Sequence, residues 1–223
     1  MKILNHQIWH LIFLSFLLSV IYFCLQVFPE LSAGELWNIT TKRWLFFTIS
    51  VPIVHQLYVL VCWRSELFYK GLSSLLGNHS FGLYKLGFAA LFLLRPISVL
   101  LLAISNKNTF SINPLVSYTL SGLFLILSGY LFYSVKNYFG INRAFGQDHF
   151  KAEVYRDLPM ITQGVFKYTS NGMYVLGFLV LYVPGLLLFS KAALLAALFN
   201  HLYIWVHYYF TELPDIKVIY KKS

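Results

Sequence analysis

Residues 164–220 read GVFKYTSNGMYVLGFLVLYVPGLLLFSKAALLAALFNHLYIWVHYYFTELPDIKVIY. Ser190 and Lys191 divide this mostly apolar stretch into two arms, which reads as a helical hairpin. Pro184-Gly185 weakens the first arm. Met173–Phe189 makes roughly 26 Å of helix at about 1.5 Å per residue, either a single crossing of the hydrocarbon core or a tilted or broken arm. Asn171, Asn200, His201, His207 and Glu212 lie at or near membrane depth in this hairpin. A charged side chain at a bilayer centre costs about 2.5–3.5 kcal/mol on insertion scales. A span that only anchors has no use for such groups, so the set points to a lined site.

Working outward, the whole chain has the character of its hairpin. Of 223 residues, 58% are hydrophobic, 19% aromatic and only 11% charged. Soluble domains carry about 25% charged residues. Such a chain cannot cover itself with polar surface, and it reads as an integral membrane protein. Four more apolar tracts precede the hairpin, at about Gln7–Phe28, Trp44–Trp63, Tyr84–Ile104 and Pro114–Tyr138. The expected fold is all-α, a polytopic membrane helical bundle of five to six transmembrane segments closed by a C-terminal helical hairpin. Residues 1–137 would hold the N-terminal spans and 138–223 the chemistry. Met1–Phe28 reads as a span and not as a signal peptide, because its apolar core is long and Pro29-Glu30 follows with no small-residue cleavage pattern.

Net charge is +9, from 17 Lys and Arg against 8 Asp and Glu. The charges are dispersed, which argues against nucleic acid as a partner. Arg64, Lys70 and Lys85 fall between the second and third tracts. Lys136, Arg143, Lys151, Arg156 and Lys167 fall between the fourth and fifth, and Lys217, Lys221 and Lys222 close the chain. The opposite loops hold Lys42, Arg43, Lys107 and Lys191. By the positive-inside rule both termini, the Asn137–Ser170 loop and the candidate site are cytoplasmic. Cys24 and Cys62 read as inert packing residues. There is no G-x-G-x-x-G, no phosphate-binding G-x-x-x-x-G-K-[ST], no H-E-x-x-H and no cysteine cluster, so no metal is expected. Asn113-Pro114 reads as the N-cap and first residue of the fourth span. Ser121-Gly122 and Ser128-Gly129, seven residues apart, offer a small-residue face to a neighbouring helix.

On the final helix, His201, Trp205, Tyr208 and Glu212 fall at i, i+4, i+7 and i+11, on one face. Asn200, Tyr203, His207 and Thr211 form a second stripe, and Leu195, Leu198 and Leu202 an apolar arc. Interhelical hydrogen bonds would explain any one of these histidines. The whole set ending in a carboxylate favours a site. Upstream, Asn171 and Gly172 tolerate unusual backbone angles, so the chain can turn there and present N–H groups suited to a carboxylate. Downstream, Pro214 follows Glu212 and holds that carboxylate at the membrane exit. Arg95-Pro96 sits inside the third span, placed to kink it and to aim a cation at an internal acidic group such as Glu212 or at an anionic headgroup.

Three stretches together, Tyr138-Phe-Gly…Arg143-Ala-Phe-Gly-Gln-Asp-His-Phe150, Gly164…Ser-Asn-Gly-Met-Tyr174 and Glu212-Leu-Pro-Asp…Tyr220, resemble the integral membrane methyltransferases. That superfamily includes phosphatidylethanolamine N-methyltransferases and isoprenylcysteine carboxyl methyltransferases. The E-x-P-D-I-x-x-x-Y form is closer to the phosphatidylethanolamine enzymes. Ser170, Asn171 and Gly172 stand where the family usually has Arg, His and Pro, and Lys167 is the nearest replacement for the missing Arg. The resemblance implies S-adenosylmethionine as cofactor, outside any Rossmann fold. Asn171, Gly172, Met173, Tyr174, Trp205, Tyr208, Glu212 and Tyr220 would bind it, with the Gly172–Tyr174 amides on its carboxylate. It implies catalytic roles for Glu212, His201 and His207, one of which would take the proton of an ammonium acceptor. The acceptor would be a membrane lipid, most simply the amino headgroup of phosphatidylethanolamine. The alternatives are a prenylated cysteine carboxylate, or a non-enzymatic transporter or scaffold. The last is disfavoured as a transporter by the lack of an inverted repeat.

Overall fold

The computed structural model describes residues 2–220; Lys221 and Lys222 lie outside the described residues. Helix α1 spans Gln7–Val27, α2 Thr41–Tyr69, α3 Gly71–Leu76, α4 Ser80–Ser105 and α5 Pro114–Ser134. The loop between α5 and the hairpin carries three one-turn helices, α6 Ile141–Ala144, α7 Gln147–Phe150 and α8 Ala152–Tyr155. The hairpin is α9 Gly172–Val175, a 3-10 segment Gly177–Tyr182, α10 Val183–Leu187, and then α11 Lys191–His207. A π-helical turn, Tyr208–Glu212, leads on into α12, Leu213–Ile219. The fold is all-α apart from a two-residue ladder, Glu35–Leu36 with Ile39–Thr40, closed by Trp37 and Asn38 at positive φ. Positive φ at both central residues is the hairpin-turn geometry that matches strand twist.

Four helical stretches are long and apolar enough to cross a membrane: Lys2–Val27, Thr41–Tyr69, Gly71–Ser105 and Pro114–Phe139. Gly172–Leu187 is apolar but shorter. The outward faces are covered in large apolar side chains, such as Ile8, Leu11, Phe16, Leu86, Leu93, Leu125 and Ile126. In water such a surface would aggregate; in lipid it is the expected coat.

The centre of the bundle is α11, packed against α1, α2 and α4. Its Ala192, Ala193, Ala196 and Ala197 are fully buried and allow close approach of the neighbouring helices, with Leu45, Val99, Leu102 and Phe199 filling the core around them. Leu198 and Leu202, on the arc expected to be apolar, are exposed.

The first arm of the hairpin is broken, as Pro184-Gly185 allowed. A broken helix leaves carbonyls that lipid cannot satisfy, so protein must do so. The serines of α5 supply the donors. Ser128 Oγ donates to the Leu176 carbonyl at 2.9 Å and Ser117 Oγ to that of Leu186 at 2.8 Å. The small-residue face is therefore built from serines: Ser121 and Ser128 are buried, whereas a Cβ on Gly122 or Gly129 would meet nothing. Asn113 caps α5 as expected, its side chain accepting from the Leu115 amide at 2.9 Å. At the far end Ser190 caps α11, and Asn106 Oδ1 accepts from Ser190 Oγ and the Ala192 amide. Ser117→Ala with Ser128→Ala should lower the thermal midpoint by about 2–4 °C each, near 1 kcal/mol per lost bond. Thermal unfolding of the purified variants checks this, and Gly122→Ala serves as the neutral control.

Candidate functional site

The two polar stripes of α11 face different neighbours. Trp205, Tyr208 and Glu212 turn towards the first arm of the hairpin, where α9 presents Tyr174. The Tyr174 hydroxyl donates to the Glu212 carboxylate. Its ring lies 5.8 Å from that of Trp205 and 5.4 Å from that of Tyr208, and Trp205 and Tyr208 are 5.7 Å apart, edge to face. Three mutually contacting rings and one carboxylate thus meet at the junction of the arm, the helix and its exit. Asn171 is the N-cap residue of α9, and its carbonyl accepts from the Tyr174 amide at 2.9 Å. Gly172 is buried, and a Cβ there would press on Val165 at 3.0 Å. Of the three amides expected to face a carboxylate, that of Tyr174 is therefore already engaged, which leaves those of Gly172 and Met173.

His201, on the same stripe, sits deeper. Its ring stacks on Phe178 at 5.7 Å, and Nδ1 is 3.3 Å from the Tyr182 hydroxyl. Met173 points elsewhere and packs with Leu131, Val165 and Phe166. The second stripe faces the N-terminal helices. Tyr203 Oη pairs with His10 Nε2 at 2.8 Å, and the Thr211 hydroxyl meets Gln7 Nε2 at 3.3 Å. His207 lies between the rings of His10 and Trp63. His207 and Glu212 therefore serve different surroundings.

Tyr220 lies in a separate assembly, which ties the tail down. Its hydroxyl donates to Asp148 Oδ2 at 2.8 Å and accepts from Arg143 Nε at 3.2 Å. The Arg143 guanidinium lies over the rings of Phe139, Tyr155 and Tyr220. Asp148 Oδ1 holds His149 Nδ1 at 2.9 Å, and Trp63 stacks on the His149 ring at 4.0 Å. His149 Nε2 is 3.7 Å from Asp215 Oδ2, an ionic contact too long for a hydrogen bond. Asp215 receives Arg64. In the sequence Arg64 reads only as a loop charge. The one signal available was the D of the ELPD motif, since Asp215 needs a partner when the helix end is buried.

Burial by itself would lower the His149 pKa. The Asp148 carboxylate, with help from Asp215, overrides it and raises it to about 9. The same pairing holds Asp148 below its ordinary value against a burial effect of opposite sign. A folded-state pKa above the unfolded 6.5 means that the protonated ring stabilises the fold. That contribution is complete below about pH 6.5 and is lost as pH rises through about 9. The charged and titratable neighbours include Asp148, Asp215, Glu212, Arg64, Arg143 and Tyr220. Proteolytic release of the α12 tail should therefore accelerate between about pH 7 and 9 in the wild type, and should lose that dependence in His149→Gln. A pH-independent rate in the wild type would contradict the assignment.

Among the described residues no group of three or more His, Cys, Asp or Glu could hold a metal ion, and both cysteines are free. The fold defines a polytopic membrane protein in which polar and aromatic side chains gather where the C-terminal hairpin leaves the bundle. Residues 116–223 match the phospholipid methyltransferase family model. On that segment the resemblance to the integral membrane methyltransferases is borne out, and its general activity class is methyl transfer at a membrane. The match takes in α5, the broken arm, α11 and the tail, and leaves α1, α2 and α4 outside. No curated protein and no solved structure matches the chain.

Proposed function

We propose that the protein is an S-adenosylmethionine-dependent methyltransferase acting on the amino headgroup of phosphatidylethanolamine or a related lipid. One observation carries the reading: Tyr174, Trp205, Tyr208 and Glu212, remote in sequence, converge at one junction inside the segment that matches the family. The residues suit such a cofactor. It carries an ammonium and a sulfonium, which fit a carboxylate and aromatic faces, and a carboxylate, which fits the first amides of α9. Gly172 lets the arm pack closely on Val165 and Leu131. When bound, the cofactor supplies an electrophilic methyl group.

The chain has the remaining work to do. An ethanolamine headgroup is an ammonium at neutral pH and must lose a proton before its nitrogen can attack. Glu212 takes that role, held in place by the Tyr174 hydroxyl, with His201 the next candidate one stripe position deeper. His207 lies on the other side of α11, so we give it no part in proton transfer. Trp205 and Tyr208 orient the cationic partners and exclude water. Of the other cofactor contacts expected, Met173 acts through packing of the arm and Tyr220 by fixing the tail.

The test is transfer of radiolabelled methyl from S-adenosylmethionine by the purified full chain, with phosphatidylethanolamine and a prenylcysteine offered side by side. Label in the amino lipid is expected. Label in the prenylcysteine alone would move the acceptor to a carboxylate, and no label in either, with no cofactor binding by calorimetry, would remove the enzymatic reading.

A further inference from the structure

Arg95 is a buried arginine that the site described above does not use. It lies in the middle of α4, beside Pro96, and is 4% exposed. Its Nε and Nη2 are enclosed and have no hydrogen-bond partner. Among the described residues no carboxylate pairs with it. Glu212, the acidic partner that the sequence offered, is engaged by Tyr174 instead. A guanidinium stays charged and presents a planar fork of donors suited to an oxyanion. A buried intramembrane cation without a counter-ion calls for one.

The neighbours say what kind. The guanidinium lies over the Phe178 ring, 5.6 Å from its centroid, which covers its face and leaves the N–H edges to do the binding. Elsewhere in the bundle His55 and His207 likewise keep both ring nitrogens buried without partners. Phe178 follows Tyr174 by four residues, about one turn or roughly 5–8 Å along the arm. Helices α4 and α5 scarcely touch; both pack on the arm between them.

We propose that Arg95 binds the phosphodiester of the acceptor lipid, with Phe178 beneath it, while the headgroup amine extends towards Tyr174 and Glu212. A phosphodiester in this place presupposes the lipid-methyltransferase reading, but its position is not part of the family match: Arg95 lies outside residues 116–223.

The experiment uses the purified full chain in detergent and measures retention of dioleoyl phosphatidylethanolamine and of dioleoylglycerol by native mass spectrometry. Inorganic phosphate is the competitor, and size exclusion monitors folding. Wild type should retain the phospholipid over the diacylglycerol. Arg95→Met should weaken retention about tenfold or more, the worth of a charge-assisted pair, and Arg95→Lys should restore part of it. In the methyl-transfer assay Arg95→Met should raise KM for the lipid and leave KM for S-adenosylmethionine unchanged. Equal retention of the two lipids by wild type, or of the phospholipid by wild type and Arg95→Met, would overturn the site. Displacement of the lipid by millimolar inorganic phosphate would make it a site for free anions, which also overturns it. Arg95-dependent retention without any methyl transfer would keep the site and remove the enzymatic reading. Transfer with retention indifferent to Arg95 would do the reverse.

Discussion

Glu212→Gln should lower methyl transfer by about 100-fold or more, the loss associated with removing a positioned general base. Gln keeps the shape of the side chain and can still accept from the Tyr174 hydroxyl, so folding should survive and thermal stability should change little. The fall should appear mainly in kcat, because the acceptor ammonium no longer has a carboxylate to receive its proton. Raising the pH should recover part of the rate, as solvent takes over the deprotonation. Tyr174→Phe removes only the donor that fixes the carboxylate and should cost about tenfold. Steady-state kinetics of both variants at two pH values decide the matter. Full activity in Glu212→Gln would mean that the base is another group, with His201 next in line.

The second large effect concerns stability. Arg64→Met should destabilise the protein by about 3–5 kcal/mol, the usual result of breaking one side of a buried ion pair. Arg64 and Asp215 side chains are 1% and 2% exposed. Arg64 Nε donates to both carboxylate oxygens of Asp215, at 3.1 and 3.2 Å. Nη1 donates to the carbonyls of Ile3 and Asn5, at 2.9 and 2.7 Å. Nη2 donates to those of Phe210 and Thr211, at 3.2 and 3.3 Å. The last two carbonyls belong to the π-helical turn that carries Glu212, and Gln7 Nε2 also donates to Phe210 at 2.8 Å. One side chain from α2 therefore locks the N-terminus, the π turn and α12 together. Lys has a single ammonium and cannot serve six acceptors on three segments, so Arg64→Lys should fail nearly as badly. Adding Asp215→Asn to Arg64→Met removes the orphaned charge and should recover a good part of the loss. Thermal unfolding of the four proteins measures this. Additive effects in the double variant would show that the pair does not act as a unit.

The apolar tracts, their order and the C-terminal hairpin follow from the sequence because the hydrocarbon core imposes long uncharged runs on any span. The meeting of Trp205, Tyr208 and Glu212 on one face follows too, since helical spacing is a local property of α11. So does the cap at Asn113, which depends on two adjacent residues. Other features depend on partners far apart in the chain, which spacing cannot reveal. The arm at Gly172–Leu187 breaks where it does because Ser117 and Ser128 of α5 satisfy its carbonyls. His201 and His207 look equivalent in the sequence, and only the packing of α1 and α2 on one side of α11, with the arm on the other, separates them.

By itself, the amino-acid order determined an all-helical membrane protein with its polar and aromatic groups gathered at the end of the last hairpin. The tertiary structure decided which of those groups meet. It joined Tyr174 to Glu212, drew Arg64 across 151 positions to Asp215, and left Arg95 enclosed without a counter-ion. The reason is the low-dielectric interior: a buried polar group needs a partner wherever the chain supplies one, and that choice is made by packing and not by sequence distance.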